Sequence, residues 1–272
     1  MQMNFLAPLP VLGLVLGMLG GSSAPQDDEP VPDALSAAFA GMGIHVDLKE
    51  GTLAIPVSIE VRDDLLEYLL VMPHGASHES LFVAAADRPA SEHRTWVETL
   101  NAALLAMGLE QGKNAEWVEK DPAPTEEEMR AGVSPYDVVL PRGDSLQLHA
   151  AWWEEGELRF HPVEDLVRDL ERGRTLRRHP FVYLGSRMVE RRHGEVSFAA
   201  FLEGNLINIS FFTQGNTLLT SALEECISQK SWLPNAWLLP ERGSTVLLIM
   251  SKERLLEPPA SMAERVPVVG GR

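Results

Sequence analysis

Chemically reactive side chains are most concentrated between residues 73 and 80. This stretch reads Pro-His-Gly-Ala-Ser-His-Glu-Ser and lies between two apolar runs, so it places two imidazoles, a carboxylate and two hydroxyls together. A buried strand that opens into a polar turn presents its side chains from a rigid base. The sequence therefore predicts a ligand-binding turn here, with His78, Glu79 and Ser80 as candidate contacts.

A metal site is an alternative interpretation of the same turn. His74 and His78 are four residues apart, the spacing that sets two imidazoles on one face of a helix, and Glu79 follows at once. However, Pro73 and Gly75 disfavour a helix, and the order His-x-x-x-His-Glu differs from that of zinc proteases. A third ligand would come from His93, His149 or Glu67. Hydrogen bonding of the turn to its own backbone is the simpler interpretation, and we assign no metal.

A nucleophilic serine in the same turn is disfavoured. The Gly-Ala-Ser-His-Glu segment from Gly75 is similar to a nucleophile elbow, but a glutamate stands in the place of the second glycine and a strand follows. Ser77 is adjacent to His78, and Ser80 follows it by two residues. Adjacent residues of a strand point to opposite faces, so they cannot share a proton directly. The chain thus offers no complete catalytic constellation, and we predict neither an enzyme nor a cofactor.

Composition excludes several classes of partner. The 272 residues are 45% hydrophobic and 23% charged, enough for a sizeable core, and the formal net charge is -16 with a pI near 4.9. Binding to a phosphate polymer normally requires a positive field. Nucleic acid is therefore an unfavourable partner for this chain.

The amino terminus has the pattern of an export signal. Residues 1–24 contain no charged side chain, and a short apolar run precedes the small residues Ser22 and Ala24. We predict a signal peptide over 1–24 and an acidic, proline-rich linker over 25–33, with no further membrane span. The protein would then be periplasmic or extracellular, or anchored if the signal is not cleaved.

The distribution of strand and helix patterns predicts an α+β fold with a mainly antiparallel sheet and about three to four packing helices. The predicted domain covers 34–257, with a hairpin extension at 34–64, and 258–272 forms a flexible tail. Hairpins are expected around turns at 49–51 and 154–156. Helices are expected over 91–107, briefly after Thr125, from Pro162 to Gly173 and over 216–229.

A local excess of arginine marks residues 159–193. The segment carries nine Arg against five Asp and Glu, 9 - 5 = +4, within a strongly acidic chain. This reversal is consistent with a face that binds anions. Pairing of these arginines with nearby carboxylates on a solvated surface is the favoured alternative.

Several short segments, in order, resemble the YdjY-domain family of exported proteins. They are the turn at 78–81, Leu-Asn-Ala-Ala-Leu-Leu-Ala-Met-Gly at 100–108, Phe-Val-Tyr-Leu-Gly-Ser-Arg at 181–187, Glu-Gly-Asn-Leu-Ile-Asn-Ile-Ser at 203–210 and Leu-Pro-Glu-Arg-Gly-Ser-Thr-Val at 239–246. The resemblance implies an exported domain without an established activity. Our leading hypothesis is accordingly a non-catalytic exported domain that binds a small ligand or an envelope protein. Its candidate contacts are the His78 turn and the turn formed by Gly185 and Ser186.

Overall fold

A closed eight-stranded β-barrel forms the centre of the computed structural model, which describes residues 31–191, 194–212 and 214–270, with side chains from residue 34. The first nine strands are β1 (His45–Asp47), β2 (Thr52–Ile59), β3 (Tyr68–Val71), β4 (Ser80–Ala84), β5 (Glu116–Glu119), β6 (Tyr136–Val139), β7 (Ser145–Glu154), β8 (Glu157–Pro162) and β9 (Val167–Asp169). The next nine are β10 (Arg174–Thr175), β11 (Phe181–Tyr183), β12 (Met188–Glu190), β13 (Val196–Phe198), β14 (Asn205–Asn208), β15 (Leu219–Thr220), β16 (Trp232–Pro234), β17 (Thr245–Ser251) and β18 (Val268–Val269).

Of the five helices in the described chain, the first two have 11 and 14 residues and the other three are short. The five are α1 (Val31–Gly41), α2 (His93–Ala106), α3 (Glu126–Arg130), α4 (Ala199–Glu203) and α5 (Ala260–Ala263). The described chain contains no helix that combines the length and the apolar character needed to span a bilayer.

The barrel closes because β2 pairs with strands on both of its sides. The order around it is β2, β17, β7, β11, β15, β14, β3 and β4, and β4 pairs with β2 again through Val57 and Ala84. Six of these pairings are antiparallel, whereas β3–β4 and β14–β15 are parallel. The predicted α+β fold with three to four packing helices is therefore wrong, since the molecule is mostly β with a mixed, closed sheet.

Two of the predicted helices are strands and turns instead. After one 3₁₀ turn at Val163–Leu166, strand β9 pairs with both β10 and β16. In the second segment, β15 pairs with β11 and β14. Ladder partners on two sides satisfy the backbone of these short segments, so an apolar spacing that suits a helix is overridden by the tertiary structure.

The more regular local patterns are confirmed. The hairpins β1–β2 and β7–β8 form, and β2 belongs to the barrel itself, so it is not part of an extension. Helix α2 buries Trp96, Leu100 and Leu104 in the main core, which also contains the inward residues of the barrel strands. The capping box of Thr125 and Glu128 begins α3.

The carboxyl-terminal segment packs against the barrel. Strand β18 pairs with β7, while Met262 and Val266 cover Ala54, Ala151 and neighbouring residues on an outer face of the sheet. This corrects the prediction of a flexible tail for 258–270. The predicted signal peptide, and the predicted linker as far as residue 30, lie outside the described residues, whereas 31–33 begin α1.

Candidate functional site

The reactive residues between β3 and β4 belong to a crossover rather than a simple turn. The two strands are parallel, with Tyr68 opposite Ser80, so residues 72–79 must run back to the start of β3. A 3₁₀ turn over Ser77–Glu79 ends this return. The His78 side chain is 79% exposed there, and its Nε2 lies 3.8 Å from Oε1 of Glu79. The crossover therefore exposes the His78 side chain to solvent.

The other candidates in the crossover have structural partners. Nε2 of His74 lies 2.7 Å from the carbonyl oxygen of Phe201, and its ring stacks on that of His93 with 5.6 Å between centroids. Ser80 is fully buried, and its hydroxyl donates to the carbonyl oxygen of Phe82 at 2.9 Å. His74 thus ties the crossover to α2 and α4, while Ser80 bonds within β4.

The metal alternative finds no geometric support in residues 31–191, 194–212 and 214–270. Within them, no three His, Cys, Asp or Glu side chains are grouped so that they could hold an ion. His149, one of the candidate third ligands, lies on β7 with its ring stacked on Phe160 at 5.1 Å. Burial lowers the pKa of His149 to about 4.

The second predicted turn is also well ordered by its contacts. Gly185 and Ser186 both adopt positive φ, of 66° and 59°. The buried Ser186 hydroxyl donates to the carbonyl oxygen of Asn216 at 2.9 Å and accepts from the backbone N–H of Ala200 at 3.0 Å. Ser186 thus holds the first turn of α4 against the loop that precedes β15.

Helix α4 connects the two predicted turns. Ser186 binds its first turn, and at its far end Gly204 has a φ of 73° and accepts a hydrogen bond from the N–H of Met72 at 2.6 Å. Gly75 packs so closely there that a Cβ atom on it would lie 2.4 Å from the Gly204 carbonyl oxygen. The two turns therefore reach opposite ends of one short helix.

A cavity of about 340 Å³ opens where α4 leads into β14. We call it the amide pocket, because carboxamides and aromatic rings make up most of its wall. The lining residues are Tyr68, Asn114, Trp117, Glu203, Asn205, Asn208, Phe211, Phe212, Gln214, Gly215, Asn216, Thr217 and Gln229. Its volume is at the small end of the range of about 300–1,000 Å³ that is typical of ligand sites.

An irregular strand brings two of these amides to the same cavity. Asn205 and Asn208 are three residues apart on β14, and in a regular strand they would face opposite sides of the sheet. The pairing of β14 with β3 shifts register between Asn205 and Ile207 and again before Asn208. This irregularity allows both amides to line the pocket while Leu206 and Ile207 enter the core.

Several amides of the wall are occupied by the protein itself. Asn208 accepts from the Thr217 hydroxyl at 3.0 Å and donates to the carbonyl oxygen of Ser210 at 2.7 Å. Asn216 donates to Glu203 and Gln214, and its Oδ1 accepts from Nε of Arg187 at 2.5 Å. These bonds fix the shape of the wall.

Other polar atoms of the wall remain uncommitted. Oδ1 of Asn114 is buried and has no partner among the described residues, although its Nδ2 donates to the carbonyl oxygen of Phe212. Within the same residues no hydrogen bond involves the Tyr68 hydroxyl, Nδ2 of Asn205 or Nε2 of Gln214. A buried polar atom without a partner, such as Oδ1 of Asn114, is costly and commonly marks a place for water or a ligand.

The aromatic residues form two pairs along the wall. Tyr68 stacks on Phe212, with 5.4 Å between ring centroids and 12° between planes. Trp117 meets Phe211 edge to face at 6.2 Å and is only partly buried. The pocket therefore offers flat apolar surfaces beside its hydrogen-bonding groups.

Carboxylates set the electrostatic potential around the pocket. Burial raises the pKa of Tyr68, and the charges of Glu67, Glu203 and Glu79 raise it further. Burial and the charge of Glu79 likewise raise the pKa of Glu67. Glu203 is the one charged residue among the described lining residues. Anionic ligands are consequently disfavoured.

Most arginines of 159–191 that have close partners contact carboxylates, whereas Arg187 donates to Oδ1 of Asn216. Arg177 pairs with Glu225 at 2.9 Å, and Arg178 pairs with Asp165 at 2.5 Å. Similar pairs involve Arg159, Arg172, Arg174 and Arg191. This agrees with the paired surface favoured from the sequence and not with an open anion-binding face.

The two turns predicted from the sequence both contact residues of the pocket wall, but the pocket itself was not predicted. Asn205 contacts the crossover through the N–H of Ala76, at 3.0 Å, and Asn216 contacts Ser186. The available signal was the density of amides at 205, 208, 214 and 216 within an apolar stretch. Prediction of a helix over 216–229 concealed it.

Comparison with known proteins adds no relative: no protein-family model, no curated protein and no solved structure matches the chain.

Proposed function

We propose that this protein is an exported, non-catalytic domain that binds a small polar molecule in the amide pocket. The observation that carries the proposal is the wall of that pocket, where aromatic faces stand beside hydrogen-bonding atoms that the protein leaves uncommitted. Apolar surface with a few convergent polar groups is the usual composition of a ligand site.

A binding role is favoured over catalysis by the ionisable groups of the pocket. Glu203 is the one carboxylate among the described lining residues, and one of its oxygens accepts from Asn216. The Tyr68 hydroxyl is protonated at neutral pH, as any tyrosine is, and burial raises its pKa further, so it can donate a hydrogen bond but is a poor base. The pair thus supplies binding groups rather than an acid and a base.

Export and family membership belong to the same proposal. The uncharged, apolar residues 1–24 and the resemblance to the YdjY-domain family support a location in the cell envelope. A concave pocket favours a small ligand over an envelope protein as the molecule bound there.

Ligand capture from the envelope tests the proposal. The mature protein would be incubated with a small-molecule extract of the cell envelope, washed, and analysed by native mass spectrometry for an adduct that heat releases. We expect an adduct on the wild type and its loss in Trp117→Ala, which removes the partly exposed ring of the pocket.

Trp237→Ala is the matched control, because Trp237 is 90% exposed and does not line the pocket. It should retain the adduct. Absence of any small-molecule adduct on the wild type would overturn the small-ligand proposal.

A further inference from the structure

We infer that the molecule bound in the amide pocket is an uncharged sugar. This inference rests on the proposed function and specifies its ligand class. It depends on three properties of the wall: the mixture of free donors and acceptors, the lack of a cationic residue among the lining residues that the structure describes, and the arrangement of the aromatic rings.

The free polar atoms include both donors and acceptors. Nδ2 of Asn205 and Nε2 of Gln214 can only donate, whereas Oδ1 of Asn114 can only accept. A sugar hydroxyl donates one hydrogen bond and accepts others, so a ring bearing several hydroxyls can satisfy both kinds of atom. An ammonium ion offers no acceptor and would leave the two amide N–H₂ groups without partners.

The charges of the pocket favour a neutral ligand over an anion. The described lining residues include neither Lys nor Arg, and the guanidinium of Arg187 in the hydrogen-bond network of the pocket is already bound to Oδ1 of Asn216. The carboxylate of Glu203 can accept from a hydroxyl, and a charge-assisted hydrogen bond of this kind is about twice as strong as a neutral one. An acidic sugar would face this carboxylate without a compensating cation.

The aromatic rings provide the apolar part of the site. Sugar rings have flat C–H faces, and the amphipathic rings of Trp and Tyr give rigid contact area at small entropic cost. Trp117 lies on the short hairpin of β5 and β6 and is partly exposed, so its edge-to-face contact with Phe211 leaves it accessible from the cavity. The stacked pair of Tyr68 and Phe212 is less free, since each covers a face of the other.

Calorimetric titration of the mature protein with a defined panel tests the inference. The panel would contain neutral mono- and disaccharides, choline and a polyamine as cations, and a uronic acid as an anion. We expect a neutral sugar to bind, with affinity reduced about tenfold in Trp117→Ala, as loss of an aromatic contact worth about 1.5 kcal/mol implies. Tyr68→Phe, which keeps the ring and removes the hydroxyl, should weaken binding by about fivefold, the range of one neutral hydrogen bond.

Salt separates a sugar from a cation. Affinity for a neutral sugar should be the same at about 0.05 M and about 0.5 M NaCl, whereas screening weakens attraction of a cation to Glu203. Trp237→Ala and Tyr136→Phe, at exposed positions outside the pocket, serve as controls for the two variants.

The outcomes distinguish this inference from the proposed function. If a cation or the uronic acid binds and Trp117→Ala abolishes that binding, the pocket remains a ligand site and the sugar assignment is overturned. If a sugar binds equally well to the wild type and Trp117→Ala, the amide pocket is not its site, and the sugar assignment is overturned. Absence of binding by every neutral sugar overturns the sugar assignment alone, because ligand capture from the envelope tests the pocket separately.

Discussion

The crossover between β3 and β4 and the amide pocket lie on either side of Asn205, yet they use polar residues in opposite ways. In the crossover, reactive side chains are adjacent in sequence, and in the structure they either face solvent, as His78 does, or bind nearby backbone, as His74 and Ser80 do. In the pocket, polar side chains come from distant segments and meet around one cavity. Reactive residues that are adjacent in the sequence thus do not meet around one site, whereas polar residues that are distant in the sequence do.

Secondary structure explains the difference. A 3₁₀ turn directs consecutive side chains outward in different directions, so Ser77, His78 and Glu79 cannot surround one small ligand. The pocket instead takes residues from β3, β5, α4, β14 and the loop before β15, which are far apart in the sequence and line one cavity. On this comparison, changes in the crossover should affect folding, and changes in the pocket wall should affect binding.

Gly75→Ala should have the largest effect on stability. A Cβ atom would lie 2.4 Å from the carbonyl oxygen of Gly204, which cannot move away without disturbing its bond to the Met72 N–H. Overpacking against backbone of this kind costs about 3 kcal/mol. Urea denaturation followed by tryptophan fluorescence should show the loss as a lower midpoint.

Gly41→Ala is the matched control for this variant. Gly41 ends α1, and a Cβ atom there has no neighbour within 4 Å. Its midpoint should equal or slightly exceed that of the wild type. Equal midpoints for the two variants would mean that the crossover is not fixed against α4 by the pair of glycines.

Ser186→Ala should have an intermediate effect and should act at the other end of α4. It removes the hydroxyl that binds both Ala200 and Asn216, and it leaves a buried N–H without a partner. Such a loss costs about 2 kcal/mol. Ser91→Ala, at an exposed position that caps no helix, should cost nothing measurable in the same denaturation experiment.

If Ser186 also acts by holding Asn216, the variant should weaken ligand binding at temperatures where it is fully folded. Full stability of Ser186→Ala would contradict the positioning role. Retained stability with lost binding would instead indicate that the hydroxyl contacts the ligand directly.

The local elements of this fold were predictable from the sequence, whereas its closure was not. The spacing of Trp96, Leu100 and Leu104 specifies α2 because it fits one helical face, and the alternation along β2 specifies a strand in the same direct way. Pairing of β2 with β4 brings Val57 to Ala84 and closes the barrel through a long-range contact. No periodicity within a single segment encodes that contact.

The binding site was predictable only in part for a related reason. Gly185 and Ser186 mark a tight turn in the sequence, but their link to the pocket depends on where α4 places Glu203 and Asn205. Trp117 reaches the cavity from the hairpin of β5 and β6, and Asn114 from the residues just before β5. Their side chains have ordinary solvated alternatives, so the sequence alone gave no reason to group them.

Glu79→Gln should have the smallest effect, and its pH dependence tests the carboxylates that lie between the crossover and the pocket. Burial, and then the charge of Glu79, raise the pKa of Glu67. An acid whose pKa is raised by folding contributes stability at low pH that is lost as pH rises through the folded pKa. Glu79→Gln removes the part of this loss of stability that comes from repulsion between the two carboxylates. It should therefore stabilise the protein near pH 7 but not near pH 4.

The expected gain is about 0.3 kcal/mol, because both carboxylates are partly exposed and solvent screens their repulsion. A double-mutant cycle with Glu67→Gln isolates this coupling from the contact of Glu79 with His78, which Glu79→Gln also alters. Near neutral pH the two substitutions should stabilise the protein by less together than the sum of their separate effects, and added salt should reduce the difference. A cycle that is additive at both pH values would show that the charge of Glu79 does not affect Glu67. Glu203 would then be the carboxylate that a ligand in the amide pocket encounters.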